Sequence, residues 1–171
     1  MHYSQFAILL LSSCAFAHTV KPEDLYNALN TNETIWLKQR SYNRSTSCVG
    51  DKMVFLNHTD YQFTQSYLNG TQYQNQTLFA KLHNATGGGN PYMTVSKQQG
   101  GYGINYTLDY WNDTEKCGVL TMKPGGQKQC EMHVWNCTIG QSLTGCEAGY
   151  NNLCNGTSYQ VYSSNCTTTD A

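Results

Sequence analysis

Between Glu33 and Asn136 the chain is a succession of short runs rich in Tyr, Val, Thr, Phe and Trp, broken by turn signals. The runs fall at 34–42, 50–58, 60–68, 75–84, 92–98, 102–111, 115–123 and 128–137. Between them stand Asn69-Gly70, Gly87-Gly88-Gly89, Gly100-Gly101 and Pro124-Gly125-Gly126. β-Branched and aromatic residues fit a pleated, half-buried surface, while Gly and Asn supply the φ values that tight turns need. Eight short consecutive strands with turns between neighbours predict an all-β fold, an eight-stranded antiparallel up-and-down barrel. Ahead of it, Pro22, two acids, Leu25 and Leu29 mark residues 20–30 as a short helix. Behind it, 143–153 reads as a second helix and TSYQVYSS (157–164) as a short terminal strand.

The N-terminus bounds where such a barrel works. Phe6 to Leu11 is an uninterrupted apolar run leading to Ala15 and Ala17, small residues that suit cleavage after Ala17. The run is too short to span a bilayer, so residues 1–17 read as a secretory signal and 18–171 as one barrel domain. Leu11-Ser12-Ser13-Cys14 also looks like a bacterial lipidation box, but Asn-x-Ser/Thr sequons argue against bacteria. They begin at Asn32, Asn43, Asn57, Asn69, Asn75, Asn84, Asn105, Asn112, Asn136, Asn155 and Asn165, and that density suggests a glycoprotein surface. A net charge of -1 with 12% charged residues provides no basic footprint for nucleic acid or an anionic membrane. The expectation is a secreted, extracellular monomer.

Eight cysteines less Cys14 leave seven: Cys48, Cys117, Cys130, Cys137, Cys146, Cys154 and Cys166. In a secreted chain these read as disulfides plus one odd thiol. No CxxC pair supports a zinc ribbon or a thioredoxin-type site, and neither GxSxG, HExxH nor a Walker loop occurs. No enzyme, metal or cofactor is expected.

Strand alternation sharpens the stretch CEMHVWNC, residues 130–137. A glycosylated Asn must point outward, so Asn136 outward places Cys130, Met132 and Val134 outside and Glu131, His133 and Trp135 in the interior. Cys130 and His133 then project from opposite faces and cannot converge on one zinc ion. The stretch reads as pocket wall. By the same argument Asn105 sends Tyr106, Leu108 and Tyr110 inward, and Asn43 sends Trp36 and Arg40 inward.

With these residues in view, IWLKQRSY, KCGVL, CEMHV, the paired CEAGYNNLC helix and the late Cys166 resemble the tick histamine-binding protein, or tick salivary lipocalin, family. The resemblance covers nearly all of the chain after the signal. It implies Cys48–Cys166 and Cys117–Cys146. Cys130, outward by parity, then reaches Cys154 on a helix packed outside the barrel, and Cys137 is left over. Amine-binding members carry Cys-Asp-aliphatic, then Glu-Leu-Trp/Tyr, then Cys. Here Gly118 stands where that Asp would be and His133 where the aromatic would be.

What the resemblance implies for function is sequestration of a small host inflammatory mediator, with histamine or serotonin as the default. Glu131 beside His133, Trp135, Tyr106 and Tyr110 suits an ammonium, through an ion pair and cation–π contact. An inward Arg40 instead suits the carboxylate of a fatty acid such as leukotriene B4, with His133 as a second donor and Trp36 nearby. A third reading is a glycoprotein that binds a host protein, such as complement, around a vestigial pocket.

Overall fold

The computed structural model describes residues 19–85, 87–156 and 158–167; the segment 1–17 read as a signal lies outside them. Helix α1 (Asp24–Leu29) precedes strands β1 (Thr34–Arg40), β2 (Ser47–Leu56), β3 (Asp60–Asn69), β4 (Gln72–His83), β5 (Tyr92–Ser96), β6 (Ile104–Asn112), β7 (Cys117–Met122) and β8 (Gln129–Trp135). Helix α2 (Thr144–Leu153) and a two-residue β9 (Tyr159–Gln160) follow. Strands β2 to β8 pair antiparallel in sequence order, and β1 closes the barrel by pairing with both β8 and β2. The eight strands and two helices fall where the turn signals and periodicity predict. β9 is shorter than its predicted run, adding to β1 only at Gln39 and Arg40.

A barrel of this size keeps a hollow centre, so apolar burial is divided between two places. Inside, Leu25 and Leu29 lie one helical turn apart on α1 and plug one end of the lumen. They pack with Ile35, Tyr61, Phe63, Met93, Leu108, Trp111 and Leu120. Outside, α2 lays Cys146 and Tyr150 over Val119, Met132 and Val134. Glu115, on the β6–β7 turn, accepts the backbone N–H groups of Gly145 (2.9 Å) and Cys146 (2.8 Å), so an anion caps the start of α2.

Three disulfides link Cys48 to Cys166, Cys117 to Cys146 and Cys130 to Cys154, while Cys137 is free and exposed. This is the implied set. Two of the three bridges fasten the ends of α2 to neighbouring strands β7 and β8.

Bulges reset the alternation that the sequons suggested. In β1 the register with β8 slips between Leu37 and Gln39, so Lys38 is an extra residue. Ile35 and Leu37 therefore face the lumen, Trp36 faces out, and Arg40 returns to the inside opposite Glu131. Trp36 packs against Tyr162 with ring centroids 5.2 Å apart and donates to Asn136 Oδ1 at 2.8 Å. A second slip between Leu108 and Tyr110 in β6 turns Tyr110 out beneath α2 and puts Trp111 in the lumen. Trp36 and Tyr110, expected as ligand contacts, belong to the outer wall.

At Gly149 α2 lies directly on the barrel wall: a Cβ there would lie 2.8 Å from the Tyr110 ring. Gly149→Leu, a residue helices favour, should still lower stability by about 2–3 kcal/mol through overpacking. The urea midpoint reads this directly; an unchanged midpoint would mean that α2 rides loosely on Tyr110.

Candidate functional site

The open end of the barrel leads into a lumenal cavity of about 330 Å³. Below it, toward α1, lies an apolar annex of about 40 Å³ floored by Leu25, Ala28, Leu29, Trp111 and Trp135. Asp51, Phe63, Met93, Leu120 and His133 line both, so the two form one cup with a polar waist. A larger depression of about 690 Å³ lies over the outer wall of β3–β5. It includes the sequon residue Asn57, and its charged groups are already paired as Lys81–Asp60.

Glu131 is 7% exposed on β8 and its carboxylate is fully engaged. One oxygen accepts the Tyr42 hydroxyl and the other meets His133 Nε2 at 2.9 Å. Burial alone would raise its pKa; the His133 hydrogen bond and charge, the Tyr42 hydroxyl and Arg40 outweigh burial and hold it below the ordinary value. For His133, burial opposes the charged form, but the hydrogen bond and charge of Glu131, with Asp51, raise the imidazole above its usual value. Burial first, then Glu131, pushes the Tyr42 and Tyr106 phenols well up, so both stay neutral donors.

Asp51, on β2, stands differently. Its Oδ1 accepts Gln65 Nε2 at 3.0 Å, and Gln65 in turn accepts Gln76 Nε2 at 2.9 Å. Among the described residues it has no ion pair. Burial pushes its carboxyl up to about 6, against the opposing pull of His133 and Gln65. Asp51 is thus an anion held in a low-dielectric cup with an amide as its hydrogen-bond partner.

Arg40 is buried at the rim, where its guanidinium donates to the carbonyls of Arg44 and Thr46 (2.7 Å to the latter) and to Thr46 Oγ1 at 3.4 Å. It also lies 5.4 Å over the Tyr42 ring. These bonds pin loop 41–46 over the mouth.

Of the residues singled out by sequence, Glu131, His133, Tyr106 and Arg40 meet around the cavity. Trp135 is lumenal but lies on the floor, donating to the Ala28 carbonyl of α1 at 2.9 Å. Sequence reasoning did not single out Asp51, Tyr42, Gln65 or Phe63. Gly118 faces the lumen, but a Cβ there would meet Leu108 Cδ1 and the Tyr110 carbonyl at 3.1 Å and Trp111 at 3.3 Å. Leu108, the Tyr110 backbone and Trp111 therefore crowd the space that a side chain at 118 would need.

An antiparallel eight-stranded barrel with one helix packed outside and a charged, open-ended lumen defines a ligand-binding lipocalin. The chain belongs to the tick histamine-binding protein family, whose model matches residues 17–168. Among solved structures it is similar to AM182 in complex with serotonin, at 19% identity and TM-score 0.66, over 86% of this chain and 94% of that one. It is also similar to japanin from Rhipicephalus appendiculatus bound to cholesterol, at 12% identity and TM-score 0.58, over 78% and 94%. No curated protein sequence matches significantly. No helix among the described residues is long and apolar enough to cross a membrane.

Asp51 predicts an opposition between site and stability. Its folded-state pKa of about 6 exceeds the reference 3.8, so a stabilising contribution present below about pH 4 is lost as pH rises through 6. Asp51→Asn should therefore make the ligand-free protein more stable above pH 6, by about 1–3 kcal/mol, with the gain vanishing near pH 4. Thermal denaturation across that pH range measures it; equal midpoints at pH 7.5 would show that the carboxylate is well solvated.

Proposed function

We propose that this lipocalin sequesters a small biogenic amine, histamine or serotonin in type, with the ammonium on Asp51. The observation that carries the reading is the state of the two lumenal acids. Both oxygens of Glu131 are engaged by Tyr42 and His133, whereas Asp51 has an amide as its hydrogen-bond partner and, among the described residues, no ion pair. An ammonium loses its hydration on entering the cup and needs a buried anion in exchange. Asp51 supplies that anion at the waist. Phe63 and Tyr106 line the same space, with faces suited to an aromatic end. Glu131 then acts beside the ligand, through the field that it and His133 set, rather than as the primary ion-pair partner.

The fatty-acid reading draws less support. Arg40, its carboxylate clamp, spends its terminal nitrogens on two loop carbonyls and the Thr46 hydroxyl, and the cations left at the rim, Arg44 and Lys97, face solvent. The same proposal includes secretion into a host and removal of an inflammatory mediator, and membership of the family supports it. The same reading makes the protein a stoichiometric binder with no reaction to catalyse.

Calorimetry against histamine, serotonin and leukotriene B4 tests the reading. Asp51→Asn should weaken amine binding by about 2–5 kcal/mol, as expected when one partner is stripped from a buried pair. Glu131→Gln should weaken it by only about 1 kcal/mol. Wild-type affinity for the amine should fall as pH drops through about 6, because Asp51 takes up a proton while an alkylammonium stays charged. The pH dependence should disappear in Asp51→Asn. Binding of leukotriene B4 that improves in Asp51→Asn, with no amine binding, would replace this reading with the eicosanoid one.

A further inference from the structure

One stretch of the barrel wall is not closed. β4 pairs with β3 over most of its length, from Gln72 opposite Asn69 to Lys81 opposite Asp60. It pairs with β5 only from Phe79 to His83. Among the described residues, Gln72 to Leu78 therefore has a strand on one side and none on the other. The antiparallel alternation of the β3–β4 hairpin, closed by the two-residue turn Gly70-Thr71, leaves Tyr73, Asn75 and Thr77 with their N–H and C=O groups directed away from β3. The segment is accessible: Gln72, Gln74, Asn75 and Thr77 are exposed.

Its sequence suits pairing with itself. QYQNQT has no charge, no Pro and no Gly, and amide side chains stack in register across paired strands. Edge strands that stay single usually carry Lys, Pro or a bulge to prevent such pairing, and this one carries none of them. In their place, the sequon Asn75-Gln76-Thr77 lies at the middle of the open edge. Two identical edges pair antiparallel about a two-fold axis, and an axis through the centre of this segment sets Asn75 opposite its own copy. Residues directly opposite each other project from the same face with Cβ atoms about 5 Å apart, so branched sugars on the two copies of Asn75 would collide.

We propose that the Gln72–Thr77 edge of β4 is a docking site for the same edge of a second copy of this chain, and that a glycan on Asn75 keeps the copies apart. The proposal is independent of what the lumen binds. Its chemistry is backbone hydrogen bonding between two neutral, amide-rich strands, so association is expected to be insensitive to salt.

Two variants that both abolish the sequon separate sugar from surface. Asn75→Gln leaves the edge neutral; Asn75→Lys places like charges opposite each other across the two-fold. Both are produced in a glycosylating host, with occupancy at residue 75 read by mass spectrometry and association by sedimentation velocity over a concentration series. Protein glycosylated at Asn75 should sediment as a monomer and Asn75→Gln as a concentration-dependent dimer with slowed amide exchange at residues 73, 75 and 77. Asn75→Lys should sediment as a monomer. Wild-type protein found bare at Asn75 should behave like Asn75→Gln. A monomeric Asn75→Gln at every concentration overturns the proposal. So does dimerisation of both variants alike, or of the glycosylated protein, because either places the interface elsewhere.

Discussion

Closure of the sheet through β1 is the constraint on which the rest depends. One strand must satisfy β8 along one side and share the other between β2 and β9. Because the enclosed space stays open for a ligand, it cannot contribute the dense packing that stabilises a filled core. The chain answers with two satellite cores, one where α1 stops the lumen and one where α2 covers the outer wall. A disulfide typically adds ~2–4 kcal/mol by restricting the unfolded chain. Two of the three here join α2 to the strands it covers. Covalent links thus stand in for the burial that a hollow fold forgoes.

The lumen shows how such a fold carries charge. Glu131 and His133 neutralise each other two residues apart on one strand, and the Tyr42 hydroxyl completes the carboxylate from across the mouth. That triad is self-sufficient, and low dielectric strengthens it. Asp51 has no such partner, which is why burial raises its carboxyl to about 6. The two acids of the cup thus differ in kind, one completed within the wall and one left with an amide alone as hydrogen-bond partner.

Much of the architecture was legible in the sequence because turns and alternation are local. Gly70 and Pro124-Gly125-Gly126 lie between the strands they separate, and Leu25 and Leu29 share one face of α1 as their spacing requires. Facing was legible only where a strand runs without a bulge. In β8 the outward Asn136 correctly assigned Glu131, His133 and Trp135 to the inside. In β1 and β6 one extra residue inverted Trp36 and Tyr110. In β2 a further slip between Met53 and Phe55 brings Asp51 inside, although alternation counted back from Asn57 would turn it outward. A bulge adds a residue without leaving a composition signature, so the inward turn of Asp51 had no local signal. Gly118 was legible as a missing carboxylate, but the crowding of its site by Trp111 depends on the slip in β6.

The loop pinned by Arg40 and Tyr42 bears on time rather than affinity. Residues 41–46 are fastened from beneath by the guanidinium and from within by the bond to Glu131. A molecule entering or leaving the cup passes a rim that these fastenings hold in place. Related binders differ mostly in how long they hold their ligand. For a binder of the kind proposed, used one for one with its ligand, an ordered rim favours long retention.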